Sequence, residues 1–319
     1  MNTEDSSHEV FEATKFLAFS TLIQQITRKL CRVGRHAVHS LIILPQVLSL
    51  VTNYKNIRII YLFNTLVVMN AVTVCKAASF GGRATLRLEY DNCAKISAEF
   101  ATLQSVLPPL EWRRGFMFNG MSMPRYRLLT SETCVPYAIL VHRRFRAFGI
   151  RERFEGFFSS SEFLVGIDIL RKICTVGEVE DIYQSVRCYI DKGFYHVGLA
   201  HGDFHSRNMM LDGSLNPKLI DWDCVRFKGV QEFDALYFIL EREWSLSRRP
   251  WYETILEYVV NGPDSQSAAL MEAFDIRFQK QMATAFFIDR IGQEAGKFDF
   301  HYPAHQLHHV IRGLSHSIH

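Results

Sequence analysis

The chain lacks an excess of charge of either sign. Its 36 lysines and arginines stand against 33 aspartates and glutamates, a formal charge of +3. That balance gives no overall electrostatic case for coating nucleic acid, and none is expected as a partner. Paired cysteines are also missing. The seven, Cys31, Cys75, Cys93, Cys134, Cys174, Cys188 and Cys224, form an odd set with no C-x-x-C, which argues against a disulfide framework or a zinc ribbon and fits a reducing, cytoplasmic compartment. No apolar run approaches the roughly 20 residues that span a bilayer; the longest, Leu41 to Val51, is broken by Pro45. The first residues, MNTEDSSHEVFEATKF, are acidic and polar where a secretory signal needs a basic end and an apolar core, so export is not expected. There is no internal repeat and no low-complexity linker. What the chain does have is 48% hydrophobic residues over 319 positions, enough for one large domain or two lobes and too much to stay disordered.

Boundaries therefore come from changes in hydrophobic period. Phe19, Leu22, Ile23, Ile26 and Leu30 fall at helical spacing, followed by Arg28, Lys29, Arg32 and Arg35. This predicts an amphipathic helix within a helical N-terminal extension over 1–55. Such a helix suits peripheral contact with an anionic membrane, although packing on its own domain is the commoner outcome. Between Ile57 and Ser79 the runs IRIIYLF, TLVVM and VTVCKAA read as strands, with Asn70-Ala71 as a hairpin turn. Lys95 to Leu107 then places Ile96, Phe100, Leu103 and Leu107 on one helical face and stops at Pro108-Pro109. Two further extended segments are expected near Phe116 to Leu129 and Tyr137 to Phe145. After Gly149 the pattern turns helical, as at Phe163 to Ile173 and Val179 to Lys192. The expected fold class is α+β: a sheet lobe with one helix over 56–145 and a larger helical lobe over 146–319.

The stretch LAHGDFHSRNMMLDGSLNPKLIDWDCVRF, from Leu199 to Phe227, carries the chemistry. Asn208 follows Asp203 by five positions, and Asp221 follows Asn208 by thirteen. MML and KLI between them read as a hairpin around Asp212-Gly213-Ser214, which sets Asn208 beside Asp221. Oxygen ligands so placed suit magnesium, which fills its other positions with phosphate oxygens and water.

His201-Gly202-Asp203 with Asn208, and Ile220-Asp221-Trp222-Asp223, resemble the HGDxxxxN and IDxD motifs of the phosphotransferases that include aminoglycoside and choline kinases. The resemblance covers roughly residues 57 to 290 and implies a protein-kinase-like two-lobed fold, with a small antiparallel-sheet N-lobe and a larger helical C-lobe. It implies Asp203 as catalytic base toward a substrate hydroxyl, and Asn208 and Asp221 as ligands of magnesium on ATP or GTP, with Asp223 assisting the metal or the loop. It makes His201 a loop-bracing hydrogen bonder and leaves His205 and Arg207 without chemistry. Upstream, Lys76 ends a strand as a phosphate-binding lysine does. Glu99 matches the helix acid that holds such a lysine, with Glu89 as the fallback. The connection between lobes is expected within Ala138 to Gly149, with the backbone of His142 or a neighbour on the adenine edge.

One departure from the family stands out. The turn Tyr61-Leu62-Phe63-Asn64 has no glycine over the phosphates, which weakens the expected amide contacts to them. Arg143, Arg144, Arg146, Arg151 and Arg153 form a basic cluster that suits an anionic acceptor, with a solvated surface as the default reading. The histidines His301, His305, His308, His309 and His316 have no acid or cysteine partner at metal-site spacing. Only eleven residues separate Asp223 from Asp234, about the interval of small-molecule kinases and short for a peptide platform. Asp234 is expected to cap a helix and brace the loop. The leading expectation is an ATP- and magnesium-dependent kinase for a small-molecule hydroxyl, such as a sugar, amino alcohol or glycan precursor. The alternatives are a nucleotide-binding or regulatory pseudokinase and a protein kinase.

Overall fold

A computed structural model describes residues 58–61, 65–78, 82–114, 119–152, 155–192, 195–298 and 304–318. The expected helix of the N-terminal extension, the glycine-free turn at 62–64, Arg153 and His301 lie outside the described residues, as does the side chain of His305. Two compact units are present. The first holds the described residues up to Asp91 together with Pro109–Arg125; the second holds Asn92–Pro108 and Tyr126 onward.

The first unit is built on a five-stranded antiparallel sheet. It comprises β1 (Arg58–Tyr61), β2 (Leu66–Met69), β3 (Thr73–Ala78), β4 (Glu111–Arg114) and β5 (Asn119–Pro124), in the order β1-β2-β3-β5-β4. The β2–β3 turn forms because Asn70, almost fully buried, turns its Oδ1 back on the chain to accept from the amides of Val72 at 2.8 Å and Thr73 at 2.7 Å. Ala78, Leu86 and Met121 form a small core that Leu110 and Trp112 cover.

The helix expected from Lys95 instead starts thirteen residues earlier, as α1 (Gly82–Glu99), and a 3₁₀ turn follows at Ala101–Leu103. Its inner face carries Leu86, Glu89, Asn92, Cys93 and Ile96. Two of those five are polar, so hydrophobic periodicity alone does not reveal the first half.

The second unit has two three-stranded antiparallel sheets. One orders β10-β9-β6 (Pro217–Leu219, Met209–Leu211, Arg127–Leu128) and the other β11-β8-β7 (Arg226–Val230, Tyr195–Ala200, Ile150–Glu152). The helices α2 (Val135–Arg146), α3 (Ser161–Ile173), α4 (Val176–Lys192), α5 (Gln231–Ser247), α6 (Trp251–Asn261), α7 (Ser265–Ala273), α8 (Lys280–Phe298) and α9 (Ala304–Ile318) complete it. Ser160 caps α3, its hydroxyl accepting from the amide of Phe163 at 3.3 Å. Helices α3 and α8 pack at close range because Gly166 and Gly292 present no side chain; a Cβ at either would strike the backbone of the facing helix. Helix α5 is buried from Gln231 through Arg242 and forms the axis of this unit.

One further expectation is corrected here. Tyr137 to Phe145 is not extended but part of α2, which buries Ala138, Val141, His142 and Phe145 at helical spacing; its β-branched and aromatic residues imitate a strand in sequence. Among the described residues no helix is long and apolar enough to cross a membrane.

Replacing Asn70 by alanine removes both turn acceptors, and Asn70→Ala is expected to lower unfolding free energy by about 1–2 kcal/mol. Urea titration followed by tryptophan fluorescence checks it; an unchanged midpoint contradicts the turn assignment.

Candidate active site

The site grows from the β9–β10 hairpin. Asp212 closes its turn, Oδ1 accepting from the amides of Ser214 and Asn216, each at 2.9 Å. The register pairs Met209 with Leu219. One residue beyond, the Ile220 amide donates to the Asn208 carbonyl at 3.0 Å, so Asn208 and Asp221 stand one step apart across the ladder. Asp221 adopts the left-handed conformation, φ +64° and ψ +58°, which aspartate tolerates better than most residues but which still carries strain. The chain then enters a 3₁₀ turn, Trp222–Cys224. Trp222 is fully buried and donates to the Leu219 carbonyl at 2.7 Å, while Asn92 donates to the Trp222 carbonyl at 2.8 Å.

Asp203 lies on the loop after β8. Preceding it, Gly202 has φ +77°, and a Cβ there would collide with the Cys224 carbonyl, so this close approach requires glycine. His201 joins the loop to the hairpin: Nε2 donates to the Ile220 carbonyl at 2.9 Å, and Nδ1 accepts from the Asp203 amide at 3.2 Å. Those two bonds select the Nε2–H tautomer. Burial lowers the His201 pKa to about 4, so the ring is neutral at pH 7. Asp234, on the first turn of α5, accepts from the amides of His201 at 2.5 Å and Gly202 at 2.8 Å. This is the loop-bracing role anticipated for it. Burial raises its pKa to about 6 even though both amides favour the charged form.

Among the described residues, three side chains donate to the Asp203 carboxylate. Arg290 Nη2 reaches Oδ1 at 3.1 Å, His205 Nε2 lies 3.3 Å from Oδ2, and Asn208 Nδ2 reaches Oδ2 at 3.1 Å and the Asp203 carbonyl at 3.0 Å. Burial alone would raise this carboxyl. The hydrogen bond from His205 and the Arg290 guanidinium outweigh burial and hold it well below the usual carboxylate range.

Of the residues singled out in sequence, Asp203 and Asn208 are in direct contact and Asp221 is one ladder step away; Asp223 sits in the 3₁₀ turn after it. In the first unit Lys76 is paired, but not with Glu99. Its Nζ lies 3.1 Å from both carboxylate oxygens of Glu89, ten residues earlier on α1, and the pair is largely buried. Ten helical residues are about 15 Å, and Glu99 ends α1 exposed to solvent.

His142 is also displaced from its expected role. It sits within α2, fully buried, with Nε2 bonded to the Gln231 carbonyl at 3.0 Å, so its backbone is committed to the helix. The basic cluster divides likewise. Arg146 is largely enclosed and ion-paired with Glu232, while Arg143 and Arg151 are exposed. His205, Arg290 and Gln293 were not anticipated. His205 lies inside the motif but has no distinguishing spacing, and the other two are far along the chain without a motif.

Among the described residues no three His, Cys, Asp or Glu side chains form a metal-holding group.

No protein-family profile matches the chain, and no curated protein matches it in sequence. Its fold does match solved structures. An ADP-bound aminoglycoside phosphotransferase, APH(2'')-Ib, superposes with a TM-score of 0.54 at 13% identity, over 86% of this chain and 97% of that one. A putative fructosamine-3-kinase from Haemophilus somnus gives 0.53 at 11% identity, over 82% and 91%. A choline/ethanolamine kinase family protein from Mesorhizobium loti gives 0.52 at 11%, over 89% and 93%. The fold is thus the protein-kinase-like fold of small-molecule kinases.

The two buried histidines make stability depend on pH. Burial lowers the pKa of His142, as of His201, to about 4. The unfolded chain therefore binds two protons between about pH 6.5 and 4 that the native state does not, and stability falls on acidification by up to about 3 kcal/mol for each. Asp234, raised to about 6, has the opposite sign over the lower part of that window and offsets roughly one histidine. Net destabilisation between pH 7 and 4.5 is expected, smaller in His142→Gln, with urea titrations across pH as the measurement. An equal fall in that variant contradicts the assignment.

Proposed function

We propose that the protein is a magnesium- and nucleoside-triphosphate-dependent phosphotransferase acting on a hydroxyl group of a small molecule. The observation that carries this reading is the contact of Asp203 with Asn208, one ladder step from Asp221, on the loop and hairpin of a kinase-like fold. The ADP-bound aminoglycoside phosphotransferase among its structural neighbours supports a nucleotide as co-substrate.

The donor set fits the implied metal. Asn208 uses its amide NH₂ on Asp203, which leaves Oδ1 as a ligand oxygen. Asp221 supplies the carboxylate, and Asp223 an auxiliary one. Magnesium held by these oxygens would neutralise charge on the nucleotide phosphates. The chain's own residues do the remainder. Asp203 orients the acceptor hydroxyl and receives its proton, and the bracing by His201 and Asp234 holds the loop in place without reorganisation. Lys76, paired with Glu89 and not with the Glu99 expected from sequence, is assigned to the nucleotide phosphates.

A protein-kinase reading is disfavoured by chain length. Helix α5 begins at Gln231, eight residues after Asp223, with β11 between them, which is too short an interval for a peptide platform. A pseudokinase is disfavoured because Asp203, Asn208, Asp221 and Lys76 are all present.

Magnesium-dependent ATP or GTP hydrolysis by the purified protein tests the reading. Asp203→Asn should lower turnover by about 10²–10⁴-fold while nucleotide affinity stays within a few-fold. Asp221→Ala should abolish the magnesium-dependent part of nucleotide binding measured by calorimetry. Folded protein that neither binds nor hydrolyses nucleotide would decide for a pseudokinase.

A further inference from the structure

Helix α8 supplies no residue to any motif, yet Arg290 and Gln293 reach the loop that carries Asp203, and Asp289 and Glu294 hold their partners. Asp289 holds Arg226 of β11, each carboxylate oxygen 2.8 Å from Nη1. Gln293 links Arg226 to the loop: its Oε1 accepts from Arg226 Nη2 at 3.0 Å, and its Nε2 donates to the Gly202 carbonyl at 2.8 Å. Arg290 also reaches that carbonyl, through Nη1 at 2.8 Å, and turns Nη2 onto Asp203 Oδ1 at 3.1 Å. Its own orientation is over-determined. Glu294 accepts from Nε at 2.8 Å, and the guanidinium lies 3.6 Å from the centroid of the Tyr237 ring. With 5% of its side chain exposed, Arg290 is a buried fork whose teeth grip the backbone and the side chain of one peptide unit.

Two further features separate this from an ordinary structural ion pair. A lone buried carboxylate could be neutralised by any cation, but here one guanidinium fixes both the Gly202 carbonyl and Oδ1, so it sets the rotation of the carboxyl group as well as its charge. The partners also divide unequally between the two oxygens. Among the described residues, Oδ2 takes His205 and Asn208, whereas Oδ1 takes Arg290. A carboxylate oxygen has two lone pairs, so Oδ1 retains one directed away from Arg290.

We propose that Arg290 is the positioning residue for the base and that Oδ1 is the oxygen presented to the acceptor; this rests on the phosphotransferase reading above. In the transfer, the acceptor oxygen bonds to the terminal phosphorus of a nucleoside triphosphate. The bond from that phosphorus to the bridging oxygen breaks, and its electron pair leaves with the nucleoside diphosphate. The hydroxyl proton passes to Oδ1. Arg290 acts through Asp203 and touches neither substrate.

The test measures magnesium-ATP hydrolysis by the full chain, with water as acceptor, in the natural protein and in Arg290→Gln, Arg290→Lys and Arg290→Ala. Loss of carboxylate alignment in Arg290→Gln should lower kcat roughly 100-fold with KM for magnesium-ATP within about twofold, because no nucleotide contact is lost. Arg290→Lys, with charge but no fork, should fall between. Added guanidinium ion should restore part of kcat in Arg290→Ala and leave the natural protein unaffected. A purely structural role would lower the melting temperature without this kcat-specific loss or its rescue.

If Arg290→Gln does not fold, Glu294→Gln provides the same reading, with a several-fold loss of kcat at constant KM. An active natural protein whose folded variants keep kcat within twofold overturns the Arg290 inference alone. A natural protein inactive toward every nucleotide overturns the phosphotransferase reading, and Arg290 with it.

Discussion

A buried carboxylate gripping two backbone amides holds the candidate site together. Asp234 is fully enclosed in the second unit and spends its two oxygens on the amides of His201 and Gly202. Burying it is costly, as its pKa of about 6 records. In return the loop before Asp203 has a fixed starting point, because the two amides donate to an acceptor that has no competing water. Gly202 can then pass against the Cys224 carbonyl in its left-handed conformation, and Asp203 emerges toward Asn208.

From that anchor the same pattern repeats outward. His201 binds the hairpin carbonyl of Ile220 and the amide of Asp203, Trp222 binds Leu219, and Asn92 binds Trp222. Each polar atom on this path has a buried partner, as it must where water cannot substitute. The cost of the left-handed Asp221 is borne by a neighbourhood that leaves the chain no other course. Removal of a single brace is therefore expected to reach several others, and additivity between variants of His201, Asp234 and Trp222 is not expected.

Much of this site could be read from sequence because it is local. Asp203, Asn208 and Asp221 lie within nineteen positions, and the hairpin that unites two of them has its turn signal at Asp212-Gly213. The β2–β3 turn at Asn70 and helices α3 and α4 are local in the same sense. Errors arose where local pattern and tertiary environment disagree. In α2, Ile139, Val141 and Phe145 carry strand propensity, but the segment packs as a helix around the buried His142. In α1 the inward face includes Glu89 and Asn92, so hydrophobic periodicity starts the helix too late and points to Glu99 as the acid. Glu89 is buried because Lys76 accompanies it, and a pairing between a strand and a helix has no signature in either segment.

Spacing and residue type by themselves determined the two-lobed α+β expectation, the order of the motifs and the oxygen-rich donor set, since hairpin register and turn chemistry act over a few residues. Only the tertiary structure decided which acid meets Lys76, that His142 is a core residue, and that Arg290, 87 positions after Asp203, closes on the carboxylate. Contacts of that separation are chosen by the packing of whole elements. Here it is the close approach of α8 to α3 at Gly166 and Gly292, far from any motif, that seats the helix from which Arg290 reaches Asp203.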